Sequence, residues 1–220
     1  MNFFTPTVQI ELCGHATIAS FKALLDSCAI EDNNTYFMNT LAGTLTVEVN
    51  QSFIMMEQAK PQLGKIFDDY DSFSNLFKIV KSQIGDINVN LVPQAASTGL
   101  WDIMLPIKTK DDLYALNPDF KALAEYTKIN KVGGVYAFTL DTKEGIAERR
   151  NFCPIHGIDE EAATGTSNGA LTYYLFHNHI LNKFDQEYSF LQGQSMGRPS
   201  NIITKLINKN NPRVMVGGQA

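Results

Sequence analysis

Cysteine is scarce in this sequence. Three residues, Cys13, Cys28 and Cys153, stand at wide spacing. An odd number so distributed makes neither a disulfide framework nor a Cys-x-x-Cys metal site; small buried thiols in a reducing compartment are the plain reading for Cys28 and Cys153, while Cys13 stands apart, beside a glycine at a helix start. Histidine is limited to His15, His156, His177 and His179. The last two are two positions apart, which on a helix sends them to different faces. No His-Glu-x-x-His arrangement occurs, so no zinc site is expected. The only arginines are Arg149, Arg150, Arg198 and Arg213, and 18 Lys+Arg stand against 23 Asp+Glu, a net charge of −5. That balance argues against nucleic acid as a partner. No apolar run approaches a membrane span. The opening Met1-Asn2-Phe3-Phe4-Thr5-Pro6 lacks the basic stretch and apolar core of a secretory signal. A cytoplasmic protein with no membrane partner is therefore expected.

What is present is enough for a core. The chain has 220 residues, 44% of them hydrophobic and 19% charged, the size of one large domain or two small ones. Leu45, Val47 and Val49 alternate with Thr46, Glu48 and Asn50, which predicts a half-buried strand over 44–50. Residues 53–57 follow as its neighbour, across a turn at Asn50-Gln51-Ser52. Lys60-Pro61-Gln62-Leu63-Gly64 breaks the pattern and marks a lobe boundary. Phe73, Leu76, Phe77 and Val80 predict a helix over 71–84. Asn117, followed by Pro118, predicts the cap of another, with Phe120, Leu123 and Ala124 on its inner face. Further strands are expected at 87–92, 101–107, 132–140, 187–191, 202–207 and 214–216. Many short strands with few helices, not alternating, give α+β rather than a doubly wound parallel sheet.

The most informative feature is a weak internal repeat. Cys13-Gly14-His15-Ala16-Thr17 and Thr164-Gly165-Thr166-Ser167-Asn168 each open an apolar helix. A glycine turn at a helix start exposes N–H groups at the positive end of the helix dipole, a natural seat for a carboxylate or phosphate. Ordinary capping by Thr166 or Ser167 is the competing reading. The repeat favours two lobes with a shared groove. His15 sits in the first turn, and Glu160 and Glu161 precede the second. Brought together, a histidine and a carboxylate suit proton transfer. Otherwise the two glutamates are a solvated pair favouring the helix dipole, and His15 is a hydrogen-bonded core residue.

These residues resemble the phenazine-biosynthesis isomerase-like (PhzF-like) family of the diaminopimelate-epimerase-like fold. The matching stretches are Phe3 to Pro6 with Leu12 to Thr17, Ser97 to Leu100, and Arg150 to Pro154 with Gly157-Ile158 and Glu160 to Thr166. Gln192-Gly193, Gly197 to Ser200 and Val216 to Gly218 complete them. The resemblance implies two pseudo-symmetric lobes, each a curved, mostly antiparallel sheet around a central helix. It implies a proton-shift isomerase that uses no cofactor and no metal, with a small carboxylate substrate bound between the lobes. It places His15 and Glu161 at catalytic positions and Gly14, Thr164, Gly165 and Thr166 at substrate-binding positions. Glu161 stands where the family usually has aspartate, and Thr166 where it usually has serine.

The family's catalytic glutamate, with a Gly-Asn-Pro turn before it, lies upstream of the Phe-Phe-Thr-Pro signature at which this chain begins. Residues 1–12 precede the first glycine turn, whereas residues 61–163 precede the second. The expectation is a first lobe (1–60) lacking its front, a second lobe (61–205), and a last strand (206–220) returning to lobe 1. A catalytically impaired fragment or ligand-binding remnant is the alternative function. Glu11 is a weak substitute base, and a homodimer stays open. The epimerase branch of the fold pairs two cysteines across the cleft. Here those positions are Cys13 and Thr164, and threonine is no thiolate base, which favours carboxylate–histidine transfer.

Overall fold

The structure, a computed structural model, describes residues 1–4, 9–10, 12–51 and 53–219; Thr5, Pro6 and Glu11 lie outside the described residues. The first elements are β1 (Phe3–Phe4), β2 (Gln9–Ile10), α1 (Gly14–Asp26), β3 (Asn34–Thr40), β4 (Gly43–Asn50), β5 (Phe53–Glu57), β6 (Gln62–Ile66) and α2 (Tyr70–Phe77). β7 (Gln94–Ser97), β8 (Trp101–Pro106), α3 (Lys110–Ala115), α4 (Phe120–Asn130), β9 (Gly134–Thr139) and β10 (Ala147–Cys153) follow. The chain continues with β11 (Ile158–Glu161), α5 (Gly165–His177), β12 (Glu187–Gln192), β13 (Ser200–Ile207) and β14 (Arg213–Gln219).

Apart from the β1–β2 pair, the strands form one mixed sheet in the order β3-β4-β5-β14-β13-β12-β10-β9-β8-β7-β6, with β11 on β10. Two contacts are parallel, β8 with β9 and β10 with β12; the others are antiparallel. β14 lies between β5 and β13, so residues from both ends of the sequence complete one sheet. The expected α+β class holds, and the mixed pairing excludes a doubly wound sheet.

The strand over 44–50 is β4, with Leu45, Val47 and Val49 buried. Elsewhere the boundaries shift for identifiable reasons. Gln62 to Gly64, expected as a break, already belongs to β6. The helix expected over 71–84 stops at Phe77, because Lys78 adopts a left-handed conformation, and Val80 is exposed. Residues 87–92 form no strand: the Asp86 carboxylate accepts the N–H groups of Asn88 and Val89 and turns the chain. Asp119, not Asn117, caps α4 by accepting the Ala122 N–H at 3.0 Å.

Three apolar clusters form among the described residues. One lies between the sheet and α2, α3 and α4, around Phe73, Phe77 and Phe152. The second surrounds α5, with Tyr136, Phe138 and Phe190 beneath it. The third holds α1 against β3, β4 and β5 through Phe21, Val47 and Ile54. The two repeat helices differ in burial. α5 is buried at eight positions, from Ser167 to Leu175, while α1 is buried only at Thr17 and Phe21. Among the described residues no helix is long and apolar enough to cross a membrane.

The register of β14 on β5 depends on a glycine. A Cβ at Gly217 would lie 2.1 Å from the Ile54 carbonyl oxygen, backbone that has nowhere to go. Gly217→Ala is expected to cost about 3 kcal/mol, read as a lowered midpoint in urea unfolding; an unchanged midpoint would show that β14 shifts freely on β5.

Candidate active site

The two repeat helices start in the same way. Their N-caps, Cys13 (φ −140, ψ 110) and Thr164 (φ −131, ψ 111), are extended, and neither side chain bonds back to its helix. Thr166 and Ser167, the expected caps of α5, lie inside its first turn. Neither first turn contains an acidic residue. Both helices therefore present first-turn N–H groups without a side-chain cap at the positive end of the dipole.

Gly14, His15 and Gly165 line one cavity of ≈ 180 Å³, together with Met56, Gln58 and Val216. Glu161, Thr164 and Thr166 line a second cavity of ≈ 140 Å³, with Asp102, Asn151 and His156. The first turn of α5 is common to both, showing Gly165 to one and Thr164 and Thr166 to the other. His15 and Glu161 thus face different cavities rather than each other across one cleft. His15 is exposed and Glu161 half-buried.

The adjacent glutamates separate by strand geometry. Successive side chains of a strand point to opposite faces, and both residues lie on β11. Glu160 turns to Arg150 of β10, which donates Nε–H to Oε1 at 2.9 Å and Nη2–H to Oε2 at 2.8 Å. The same guanidinium donates to the Leu116 carbonyl at 2.8 Å and ties in the end of α3. Ser195 completes Glu160 by donating at 2.6 Å. Glu161 turns toward α5. Its Oε2 accepts the Thr164 hydroxyl at 2.8 Å and the Asn151 amide at 3.4 Å. Both bonds go to one oxygen, which leaves Oε1 for a proton.

Beneath this turn runs a buried polar stack. Arg149, 1% exposed, donates Nε–H to Tyr136 Oη, and Tyr136 donates to Gln192 Oε1 at 3.1 Å. Gln192 Nε2 donates to the Glu161 carbonyl at 2.7 Å, and Gln192 Oε1 accepts the Thr164 N–H at 3.2 Å. Burial lowers the Arg149 pKa to about 10, so it stays cationic at neutral pH. Its Nη1 and Nη2 have no partner among the described residues. Burial likewise pushes the Cys153 thiol up to about 12. No group of three or more His, Cys, Asp or Glu among the described residues is placed to hold a metal ion.

Gln192, Asn151 and Asp102 also belong to the candidate site; Asn151 and Gln192 stand within stretches that carry the family resemblance, which assigns them no role. For Asp102 a signal existed: it is the lone acid in the otherwise apolar run Trp101 to Ile107, where a charge is rare unless it is used. Burial pushes its carboxyl up to about 6; the Ser167 hydroxyl and His156 pull it down, and Glu161 adds to the rise.

Two outcomes follow from these environments. Glu160→Ala leaves the buried Arg150 without its carboxylate, and is expected to cost about 3 kcal/mol in chemical denaturation. Glu161→Gln keeps its neighbours and should cost under about 1 kcal/mol. For Asp102, a folded-state pKa raised above the unfolded value adds stability at low pH that is lost as pH rises toward 6. Asp102→Asn should therefore gain on the wild type between about pH 4 and about pH 6, by up to about 3 kcal/mol. A stability difference constant with pH would show that Asp102 does not titrate there.

Comparison with known proteins places the site in context. The family model described as phenazine biosynthesis-like protein (PhzC-PhzF) matches residues 1–220. A protein of Clostridium acetobutylicum named an uncharacterized isomerase is 32% identical over 231 residues, covering 100% of this chain and 76% of the relative. The trans-2,3-dihydro-3-hydroxyanthranilate isomerase of Pseudomonas fluorescens is 26% identical over 212 residues, covering 93% of this chain and 69% of the relative. The crystal structure of a Bacillus anthracis phenazine biosynthesis protein of the PhzF family superimposes with a TM-score of 0.85 at 22% identity, over 99% of this chain and 76% of that one. The fold is that of these proteins, and the chain belongs to the phenazine biosynthesis-like (PhzC-PhzF) family of isomerases.

Proposed function

We propose that this isomerase moves a proton between two carbons of a small carboxylate substrate without a cofactor. The observation that carries the reading is the pair of matched, side-chain-free N-caps whose glycines, Gly14 and Gly165, line one cavity. The substrate carboxylate sits at the first turn of α5, against the N–H groups of Gly165 and Thr166. Gly14 and His15 line the adjoining cavity on the other side of that turn. When a proton leaves the carbon beside that carboxylate, negative charge moves onto the carboxylate oxygens. Preorganised N–H donors stabilise it there more than they stabilise the resting anion.

Glu161 handles the proton. Its Oε2 is held by Thr164 and Asn151, which fixes the direction of the carboxylate and leaves Oε1 free. Thr164 supplies the N-cap geometry as well as this bond, and Thr166 orients a substrate oxygen. The relative's name, trans-2,3-dihydro-3-hydroxyanthranilate isomerase, supports a small cyclic carboxylate as the substrate class.

The test has two parts. Tartrate, sulfate and phosphate should each raise the melting temperature, and Gly165→Pro should abolish the effect by removing one N–H donor. Incubation with trans-2,3-dihydro-3-hydroxyanthranilate and with cyclic amino-acid carboxylates in deuterated water should place deuterium on carbon. Glu161→Gln should slow that exchange by at least about 10²-fold. Anion binding without exchange from any of these carboxylates would replace the enzyme with a ligand-binding protein.

A further inference from the structure

Glu161 shares its cavity with a second carboxyl group that the reaction above leaves unused. We propose that Asp102 is the second acid–base group of this site, donating the proton that complements the one taken by Glu161 and regaining it from solvent through His156. The inference rests on the isomerase reading above.

Three placements carry it. Asp102 lies on β8, 6% exposed, and its Oδ2 accepts the Ser167 hydroxyl from the first turn of α5 at 2.5 Å. Both carboxyl groups line the ≈ 140 Å³ cavity. Asn151, 3% exposed, forms another wall. Its Nδ2 is taken by Thr164 and Glu161, while its Oδ1 is buried without a partner among the described residues. Finally, Asp102 and His156 both approach Gly133. A Cβ there would stand 3.2 Å from Asp102 Oδ1 and 3.3 Å from His156 Nε2. His156 is exposed and also lines the neighbouring ≈ 380 Å³ cavity, with Leu100 and Thr166.

The two carboxyl groups have unlike surroundings. Glu161 is half-buried and receives two donors; Asp102 is enclosed and holds its proton to higher pH because burial penalises the anion. Carboxyl groups in such unlike surroundings divide into base and acid. The ionisable groups around Asp102 are Glu161 from β11, His156 after β10, Cys153 from β10 and Tyr136 from β9. Cys153 and Tyr136 are both held in their neutral forms by burial.

The step balances without another reactant. The Glu161 carboxylate takes a proton from one substrate carbon, and that C–H bond breaks. Its electron pair moves through the conjugated anion and forms a C–H bond at the second carbon with the Asp102 proton. Glu161 ends protonated and Asp102 ionised. Water removes the proton from Glu161 and returns one to Asp102 by way of His156.

The test compares wild type, Asp102→Asn and His156→Gln with trans-2,3-dihydro-3-hydroxyanthranilate as the probe. Asp102→Asn should lower kcat by at least about 10²-fold with KM unchanged. His156→Gln, a surface change that leaves the fold intact, should lower kcat and recover it in imidazole buffer. A substrate-free arm follows the infrared carbonyl stretch of protonated carboxyl groups. A band titrating near pH 6 should be present in wild type and missing from Asp102→Asn. Wild-type kcat in Asp102→Asn, a slow His156→Gln that imidazole does not restore, or no such band would each overturn the inference while the isomerase reading stands. A wild type inert toward the probe and toward the carboxylates above would overturn both.

Discussion

The side-chain amide of Gln192 holds the site together. It is fully buried at the end of β12, and each of its polar atoms is engaged. Its oxygen accepts from Tyr136 and from the Thr164 backbone, and its nitrogen donates to the Glu161 carbonyl. The amide thereby fixes the segment from the end of β11 to the start of α5. A buried amide left half-satisfied costs about 1–3 kcal/mol, so this segment has little freedom to drift. Preorganisation of the α5 turn is thus a property of the sheet beneath it, transmitted through one side chain.

Charge is distributed on the same plan. β10 carries Glu148, Arg149, Arg150 and Asn151 in succession, all buried, and the pleat sends them alternately to opposite faces. Arg150 meets Glu160, and Glu148 accepts from Lys110 and from Tyr114 at 2.6 Å, on the face covered by α3. Arg149 and Asn151 point to the α5 face, where no carboxylate bonds the guanidinium of Arg149 among the described residues. At β10 the ion pairs lie on one side of the sheet and the candidate site on the other. An uncompensated cation under α5 also raises the potential at the turn where an anion is proposed to bind.

The sequence made part of this legible. β4 is visible because its outward face is wet and its inward face apolar, so Leu45, Val47 and Val49 alternate cleanly. The starts of α1 and α5 are visible because glycine follows a cap at each. β10 is invisible for the converse reason: both faces are covered, and Glu148 and Arg150 find their partners on α3 and β11, so no period of two survives. The division between Glu160 and Glu161 was equally hidden, since it depends on which face of β11 meets Arg150. Asp102 was passed over because its partner Ser167 lies 65 positions away in sequence, a separation that no local pattern spans.

β14 lies between β5 and β13, and this bears on the order in which the protein takes shape. On the ribosome, β3, β4 and β5 emerge ahead of β6 to β13, yet the strand that seats β5 emerges after them. The edge of β5 must wait open while those strands are made, and open edges recruit other chains. Closure of that edge is thus tied to β14, which joins β5 to β13 in one step.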